Sequence, residues 1–311
     1  MTSPHQTTTC AAAIPCEMLN YSQPPRMGVG TPGKHGLLRL HFELDDSKRS
    51  ILRRIERRTP LIVQQELYFD ESMPQMPCVY ILSSGGPNVD GDRYEQHFSL
   101  GEGAFAHIST GAATKLAQMR HNYSALQQSI SLAADSYLEY LPEPIIPCRG
   151  TRFLSDTAIT IAPSATLFYS EILHCGRQYH MNELFDYDIL SIKTTASRPD
   201  HGLLFSEKLL IEPKRWHPTA LGAMGDYKIM GTALVLTTAD NSRELYQNTA
   251  ASIDRHNQTA AGILLLEGDC GVQYRVLGNE TQQVKKLIRQ FCSQVRMAVK
   301  GYPLPDEFAW R

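Results

Sequence analysis

Gly28-Val-Gly-Thr-Pro-Gly33-Lys34 has the GxxxxGK spacing of a loop that wraps phosphate in backbone amides. Its surroundings oppose that chemistry. His35 stands where a Ser or Thr hydroxyl would hold Mg²⁺. The next residues, Gly36 to Leu44, alternate apolar and polar like a strand, so no helix N-terminus faces the loop. Gly86-Pro-Asn-Val-Asp-Gly91 repeats the glycine spacing, but Asp92 follows it and would repel phosphate. These glycines serve positive φ or close backbone approach instead. We expect no nucleotide site on this chain.

Other reactive residue types occur without the company their chemistry needs. Ser109-Thr-Gly-Ala-Ala-Thr-Lys115 offers hydroxyls near an amine, yet nothing supplies a nucleophile elbow or an oxyanion helix. His174, Cys175 and His180 are soft donors whose spacing fits no zinc pattern. They are expected to be a core cysteine and surface histidines. HExxH and GxSxG are both absent from the sequence. The segment Leu138-Glu-Tyr-Leu-Pro-Glu-Pro-Ile-Ile-Pro147 is the most unusual. Pro142, Pro144 and Pro147 forbid a helix and argue against a regular central strand. Glu139 and Glu143 stand there among apolar neighbours, where a buried carboxylate needs a partner or water.

The elements that must position these residues are mostly strands. Period-2 runs or short apolar runs occur at Gly36–Leu44, Leu61–Tyr68, Val79–Leu82, Tyr94–Leu100, Ala104–Thr110, Tyr123–Leu132, Tyr137–Leu141 and Thr157–Ile161. Ser47 to Arg58 is a basic connector, either a short helix or a bulged strand. No internal repeat of fixed period is visible. Strands are expected at Thr232–Thr238, Ala261–Glu267 and Val272–Leu277. A helix opened by Asn241-Ser-Arg-Glu244 is expected to run to about His256. The clearest helix is Thr281–Lys300, with Val284, Leu287, Ile288, Phe291 and Val295 on one face, Asn279 before it and Gly301 after it. The fold class is therefore mainly β, an elongated stack of sheets, β-helix-like or sandwich-like, with a small C-terminal α/β part carrying two helices.

Length and composition bound the rest. The 311 residues suit about two domains or one large β-rich unit, and 42% apolar residues suffice for a sizeable core. Residues 1–34 read as a flexible leader without a packing pattern, 35–311 as one β-rich domain, and 235–300 as its helical part. Thirty Lys+Arg against thirty-two Asp+Glu leave no basic excess for nucleic acid or an anionic membrane surface. No apolar run approaches the roughly 18 residues of a membrane span. Seven cysteines without a CxxC read as reduced thiols of a cytoplasmic protein.

The order of several motifs resembles the urease accessory protein family UreD, also called UreH. The carriers are Gly36–Phe42 with Thr59-Pro-Leu-Ile-Val63, then Ser84-Gly85-Gly86 followed by Gly91-Asp92-Arg93, then Thr110-Gly-Ala-Ala-Thr114-Lys115. The proline-rich Leu138–Pro147 with Arg152-Phe153 is the most specific, and Glu171 with Gly176-Arg177 follows. Asp90, Gly111 and Cys148 depart from the family's usual residues. The resemblance implies a non-enzymatic cytoplasmic maturation factor that joins the accessory proteins UreF and UreG in a hetero-oligomer and binds urease apoprotein. It implies nickel insertion driven by the GTPase UreG, with no tightly bound cofactor and Ni²⁺ only in transit through a water-filled passage. Asp92, Glu139, Glu143 and Glu171 are then the candidate transit carboxylates. Gly85, Gly86, Gly91, Thr110, Thr114, Lys115, Pro142, Pro144, Arg152, Gly176 and Arg177 are candidates for shaping loops or meeting partners. Scattered carboxylates suit release of a borderline cation better than a closed His/Cys cage. Two other classes remain open: a β-rich hydrolase with an unrecognised nucleophile, and a partner-binding protein that needs no metal.

Overall fold

The computed structural model describes residues 14–23, 28, 33–200, 202–220 and 222–305. Strands β1 (His35–Leu44) and β2 (Ser50–Arg58) form an opening hairpin, followed by β3 (Leu61–Ile62) and β4 (Cys78–Ser83). The middle is β5 (Arg93–Leu100), β6 (Phe105–Thr110), β7 (Thr114–Leu116), β8 (Ser124–Leu132), β9 (Tyr137–Leu141), β10 (Ile145–Pro147), β11 (Arg152–Ile161), β12 (Thr166–His174) and β13 (Ile189–Ser197). The last part is β14 (Leu203–Ile211), β15 (Ile229–Leu236), α1 (Ala239–Asn248), β16 (Ser252–Asp254), β17 (Thr259–Leu265), β18 (Gly271–Gly278) and α2 (Thr281–Lys300).

Two sheets result. The smaller has the order β14-β13-β11-β8-β5-β1-β2, and the larger β16-β17-β18-β15-β12-β9-β6-β4-β3 with β10 and β7 attached. From β4 to β13 the long strands alternate between the sheets, and neighbours within each sheet are parallel. This is a β-helix-like winding. Cys78 pairs with His107 and Tyr137 with Thr166, 29 residues on; Arg93 pairs with Ala125 and Phe105 with Tyr137, 32 on; Arg152 pairs with Ile189, 37 on. Turns of unequal length explain why the sequence shows no fixed period.

Alternation decides what each strand buries. Leu38, Leu40, Phe42, Phe98, Ile130 and Ile159 of the smaller sheet meet Ile108, Leu138, Leu167 and Leu234 of the larger one. The opposite face of the larger sheet carries Phe168, Ile172, Ala233 and Val272 against Val284, Ile288, Phe291 and Val295 of α2. Gly231 lets the helix approach: a Cβ there would lie 2.8 Å from Val284 Cγ1.

Several boundaries differ from the sequence expectation. Ser50–Arg58 is strand, and the register skip at His41/Phe42 leaves Arg53 without an opposite residue. The first helix starts after Thr238 and stops at Asn248, because β16 takes over at Ser252. Glu280, not Asn279, precedes α2, and Gly301 ends it at φ 77°. Leu287 is only partly buried, while Cys292 and Arg296 complete the buried face. The prolines of 142–147 do not exclude a central strand. They bound two strands: β9, central between β6 and β12, stops before Pro142, and β10 begins after Pro144. Within the expected leader, Cys16–Tyr21 forms a 3-10 turn whose Met18 is fully buried beside Tyr123, Ala125 and Ile189. Glu17 there is held at about 2: burial opposes ionisation, but Lys208 and Ser191 bind the carboxylate and outweigh it.

Candidate functional site

Four connections leave the same ends of the parallel strands β4, β6, β9 and β12, and most of the sequence-derived candidates lie on them. Asn88 N–H donates to Lys115 C=O at 2.8 Å, Thr114 N–H to Pro144 C=O at 2.9 Å, and Phe185 N–H to Cys175 C=O at 2.6 Å. The first two bonds tie the first three loops to one another, and the third closes the loop after β12 on itself. Gly86 and Gly91 take φ of 69° and 82°, as their turns require. Gly85 packs against Pro60. Gly176 sits where a Cβ would lie 2.3 Å from the Glu183 carbonyl oxygen. Arg177 holds the Glu183 carboxylate in a two-point contact at 2.8 and 2.6 Å. Arg152 pairs with Asp188 at 2.8 Å and covers the Tyr21 ring. Thr110 Oγ1 accepts the Glu143 N–H at 2.8 Å. Lys115 is exposed. These residues build the loops.

The four candidate carboxylates do not form one cluster. Asp92 is fully buried and accepts from Lys34 N–H at 2.8 Å, Val89 N–H at 2.9 Å and Tyr94 O–H at 2.8 Å. Lys34, the lysine of the GxxxxGK stretch, also points its ammonium at Asp92, 3.5 Å away. Residues 29–32 of that stretch lie outside the described residues. Glu143, with Thr110 and Pro142, lines a cleft of about 1360 Å³ beneath α2 and pairs with Lys285 at 2.6 Å.

Glu139 belongs to β9 and faces the helix layer. Arg296 of α2 donates to it from Nε at 2.6 Å and Nη2 at 2.7 Å, His107 Nδ1 lies 2.8 Å away, and Tyr137 O–H donates at 2.6 Å. Arg296 Nη1 binds Asp70. Arg296, Asp70, His107 and Glu139 are all buried. Burial raises the Glu139 carboxyl, but the Arg296 and His107 contacts outweigh it and bring it down to about 2. The sequence placed Glu139 beside Glu143 in a proline-disrupted segment. In the fold it is a strand residue whose arginine comes from α2. A signal existed: Ile288, Cys292 and Arg296 follow at four-residue steps on the apolar face.

Glu171 faces the other way, into the space between the sheets. Tyr169 O–H donates to it at 2.9 Å and also touches Thr157 Oγ1 at 3.2 Å. Glu171 is half-buried. Burial pushes its carboxyl up to about 7; Tyr169 opposes this and the nearby Glu207 charge adds to it. A polar rung crosses the interior of the smaller sheet at this level: Gln96, Gln128, Thr157, Thr194 and Glu207 are register partners in sequence. Opposite it, Glu171, Thr232 and Arg275 pair across β12, β15 and β18. Glu207 bridges the gap, taking Arg275 Nη2 on one oxygen and Gln273 Nε2 on the other at 2.8 Å. The rung ends at a largely apolar cleft of about 970 Å³, lined by Leu209, Ile211, Met224, Met230, Arg275 and Leu277 among others.

Glu207 and Arg275 were not singled out by the sequence. Glu207 interrupts Phe205, Leu209 and Ile211 on one face of β14, a charge at an apolar step of the alternation. His174 bonds Thr281 Oγ1 at 3.0 Å, and burial raises the Cys175 thiol to about 11. No group of three or more His, Cys, Asp or Glu side chains among the described residues could hold a metal ion. No helix among them is long and apolar enough to cross a membrane. A polar rung with weakly held carboxylates can pass a cation from oxygen to oxygen, but it offers no cage to store one.

Comparison with known proteins agrees with the motif order. The family described as UreD urease accessory protein matches residues 34–311. Urease accessory protein UreD 2 of Brucella suis biovar 1 is 41% identical over 296 residues, covering 94% of this chain and 98% of the relative. Urease accessory protein UreD of Photorhabdus laumondii is 41% identical over 290 residues, covering 93% and 90%. The Yersinia enterocolitica protein of the same name is 38% identical over 303 residues, covering 95% and 92%.

Proposed function

Because this chain belongs to the UreD urease accessory protein family, which serves urease maturation and is not catalytic, we propose that it is the scaffold through which nickel reaches urease. In this reading it works in the cytoplasm within a hetero-oligomer with UreF and UreG. It binds urease apoprotein, and UreG hydrolyses GTP. Ni²⁺ is cargo, held only in transit.

The observation that carries the passage is the polar rung between the sheets, with Glu171 at the end away from the apolar cleft. Of the four candidate carboxylates, Asp92, Glu139 and Glu143 are each engaged by a cation. Among the described residues Glu171 has a single hydroxyl contact, and it is only half-buried. A carboxyl with a raised pKa gives up its proton when a divalent ion arrives and regains it when the ion leaves. Tyr169 and Thr157 orient that carboxyl, and the apolar packing on either side confines the route.

The test is co-expression with UreF, UreG and urease apoprotein, followed by metal analysis of the purified urease. Glu171→Gln keeps size and removes charge. The expected result is an intact complex with nickel content reduced about tenfold. Normal nickel content would remove Glu171 from the route.

A further inference from the structure

We infer that Arg275 closes this passage as a stand-in for the cation: its guanidinium occupies the Glu207 carboxylate that a divalent ion must use, and moves into the apolar cleft to admit one. This rests on the passage proposed above and adds a residue that controls entry.

Three observations converge on Arg275. The first is place. Arg275 is two register steps from Glu171 on the same rung, with Thr232 between them, and it reaches Glu207 across the gap between the sheets. A cation approaching Glu171 from the cleft therefore meets a positive charge first. At this range like charges in a partly dry setting repel strongly.

The second is how loosely Arg275 is held compared with Arg296. Arg296 commits Nε and Nη2 to Glu139 and Nη1 to Asp70, and its side chain is fully buried. Arg275 reaches Glu207 through Nη2, while its Nε is buried without a hydrogen-bond partner among the described residues. Its side chain is 42% exposed. A guanidinium fixed by both edges is a structural tie; one held by a single edge, with a donor left over, can leave.

The third is somewhere to go. Arg275 itself lines the cleft of about 970 Å³. The described lining carries one carboxylate, Glu212, whose present partner Arg215 is 3.6 Å away and largely exposed. The stem can lie along Leu209, Ile211 and Leu277 while the head reaches water or Glu212. Exchange then keeps the site balanced: the guanidinium leaves Glu207 as the divalent ion arrives at Glu207 and Glu171. No bond is made or broken beyond ligand exchange.

The experiment uses the full-length chain and NiCl₂ alone in equilibrium dialysis, with circular dichroism as the check on folding. Arg275→Gln should tighten nickel binding about tenfold or more, since an opposing charge is gone. Arg275→Lys keeps the charge and should stay near the parent affinity. Glu207→Gln in the Arg275→Gln background should abolish the gain. Unchanged or weaker binding by folded Arg275→Gln overturns the inference. Arg275→Met preserves the stem if the glutamine variant is unstable; failure of both to fold makes Arg275 a structural counter-ion and also overturns it. The dialysis result decides the closing role of Arg275, and urease nickel content in the Glu171→Gln experiment decides the passage, so the two ideas fail separately.

Discussion

Glu139 and Glu171 sit on neighbouring strands of one sheet, and both are enclosed by protein, yet their chemistry is opposite. Glu139 is in register with Phe168 on β12, so the residue-by-residue alternation sends Glu139 to the helix layer and Glu171 to the gap between sheets. On the helix side, Arg296 and His107 hold the carboxylate ionised down to about 2. On the inner side, one tyrosine hydroxyl is too little to offset desolvation, and the carboxyl rises to about 7. Burial alone therefore does not say what a carboxylate does. The charge of its partners does. A paired carboxylate ties elements together, and an under-paired one beside water can exchange ligands.

The largest expected effect tests the tie. Arg296→Met would leave Glu139 and Asp70 buried without their cation. Breaking a buried pair in this way costs about 3–5 kcal/mol. Denaturant unfolding of the variant should show that loss, and α2 should lose protection from hydrogen exchange first. A loss below about 1 kcal/mol would mean that water or His107 already compensates the carboxylates.

The next effect separates the two residues by pH. Glu139 has a folded value below its ordinary 4.5, so the stability it adds is complete above 4.5 and is lost as pH falls toward 2. Glu171 has a folded value above 4.5, so the folded state binds the extra proton between 4.5 and about 7. Stability therefore declines as pH rises through that window and levels off above it. Each shift corresponds to at most about 3 kcal/mol. Glu171→Gln should flatten the decline between pH 5 and 7 and leave the acid limb intact. Glu139→Gln should alter the acid limb alone. Identical pH profiles for the two variants would erase the distinction between the faces.

Much of this architecture is legible in the residues. Period 2 marks most of the long strands, and the helical spacing of Val284, Ile288, Phe291 and Val295, in steps of four, three and four, marks α2 with the bounds it has in the fold. Helical spacing puts Leu287 on the buried face but cannot tell the centre of a face from its rim, and Leu287 lies at the rim. The β-helix-like stack is one of the two architectures expected, but unequal winding lengths of 29, 32 and 37 residues leave no fixed period to choose it over a sandwich. The site was less legible for a physical reason. Motif residues such as Gly91, Thr114 and Gly176 advertise themselves by loop geometry, and loops are what they build. Glu207 and Arg275 are ordinary charges in alternating strands, and only the pairing of β14 with β13 and of β18 with β15 brings them to one level.

The smallest expected effect concerns Glu143, and it sharpens the comparison by supplying a third kind of carboxylate. Glu143 lies on the loop between β9 and β10, bound to Lys285 at 2.6 Å, with side-chain exposures of 33% and 28% for the two partners. Water screens such a pair, so its loss costs about 1 kcal/mol or less. Glu143→Gln keeps the backbone N–H that Thr110 Oγ1 accepts, so the loop keeps its shape. The variant should unfold within about 1 kcal/mol of the parent, and urease matured with it should carry normal nickel. Combining it with Glu139→Gln should then add little to the single Glu139 change, because the two side chains answer to different cations on α2, Lys285 and Arg296. A loss of urease nickel with Glu143→Gln alone, at unchanged stability, would bring the cleft beneath α2 into the route and make the gap between the sheets only part of it.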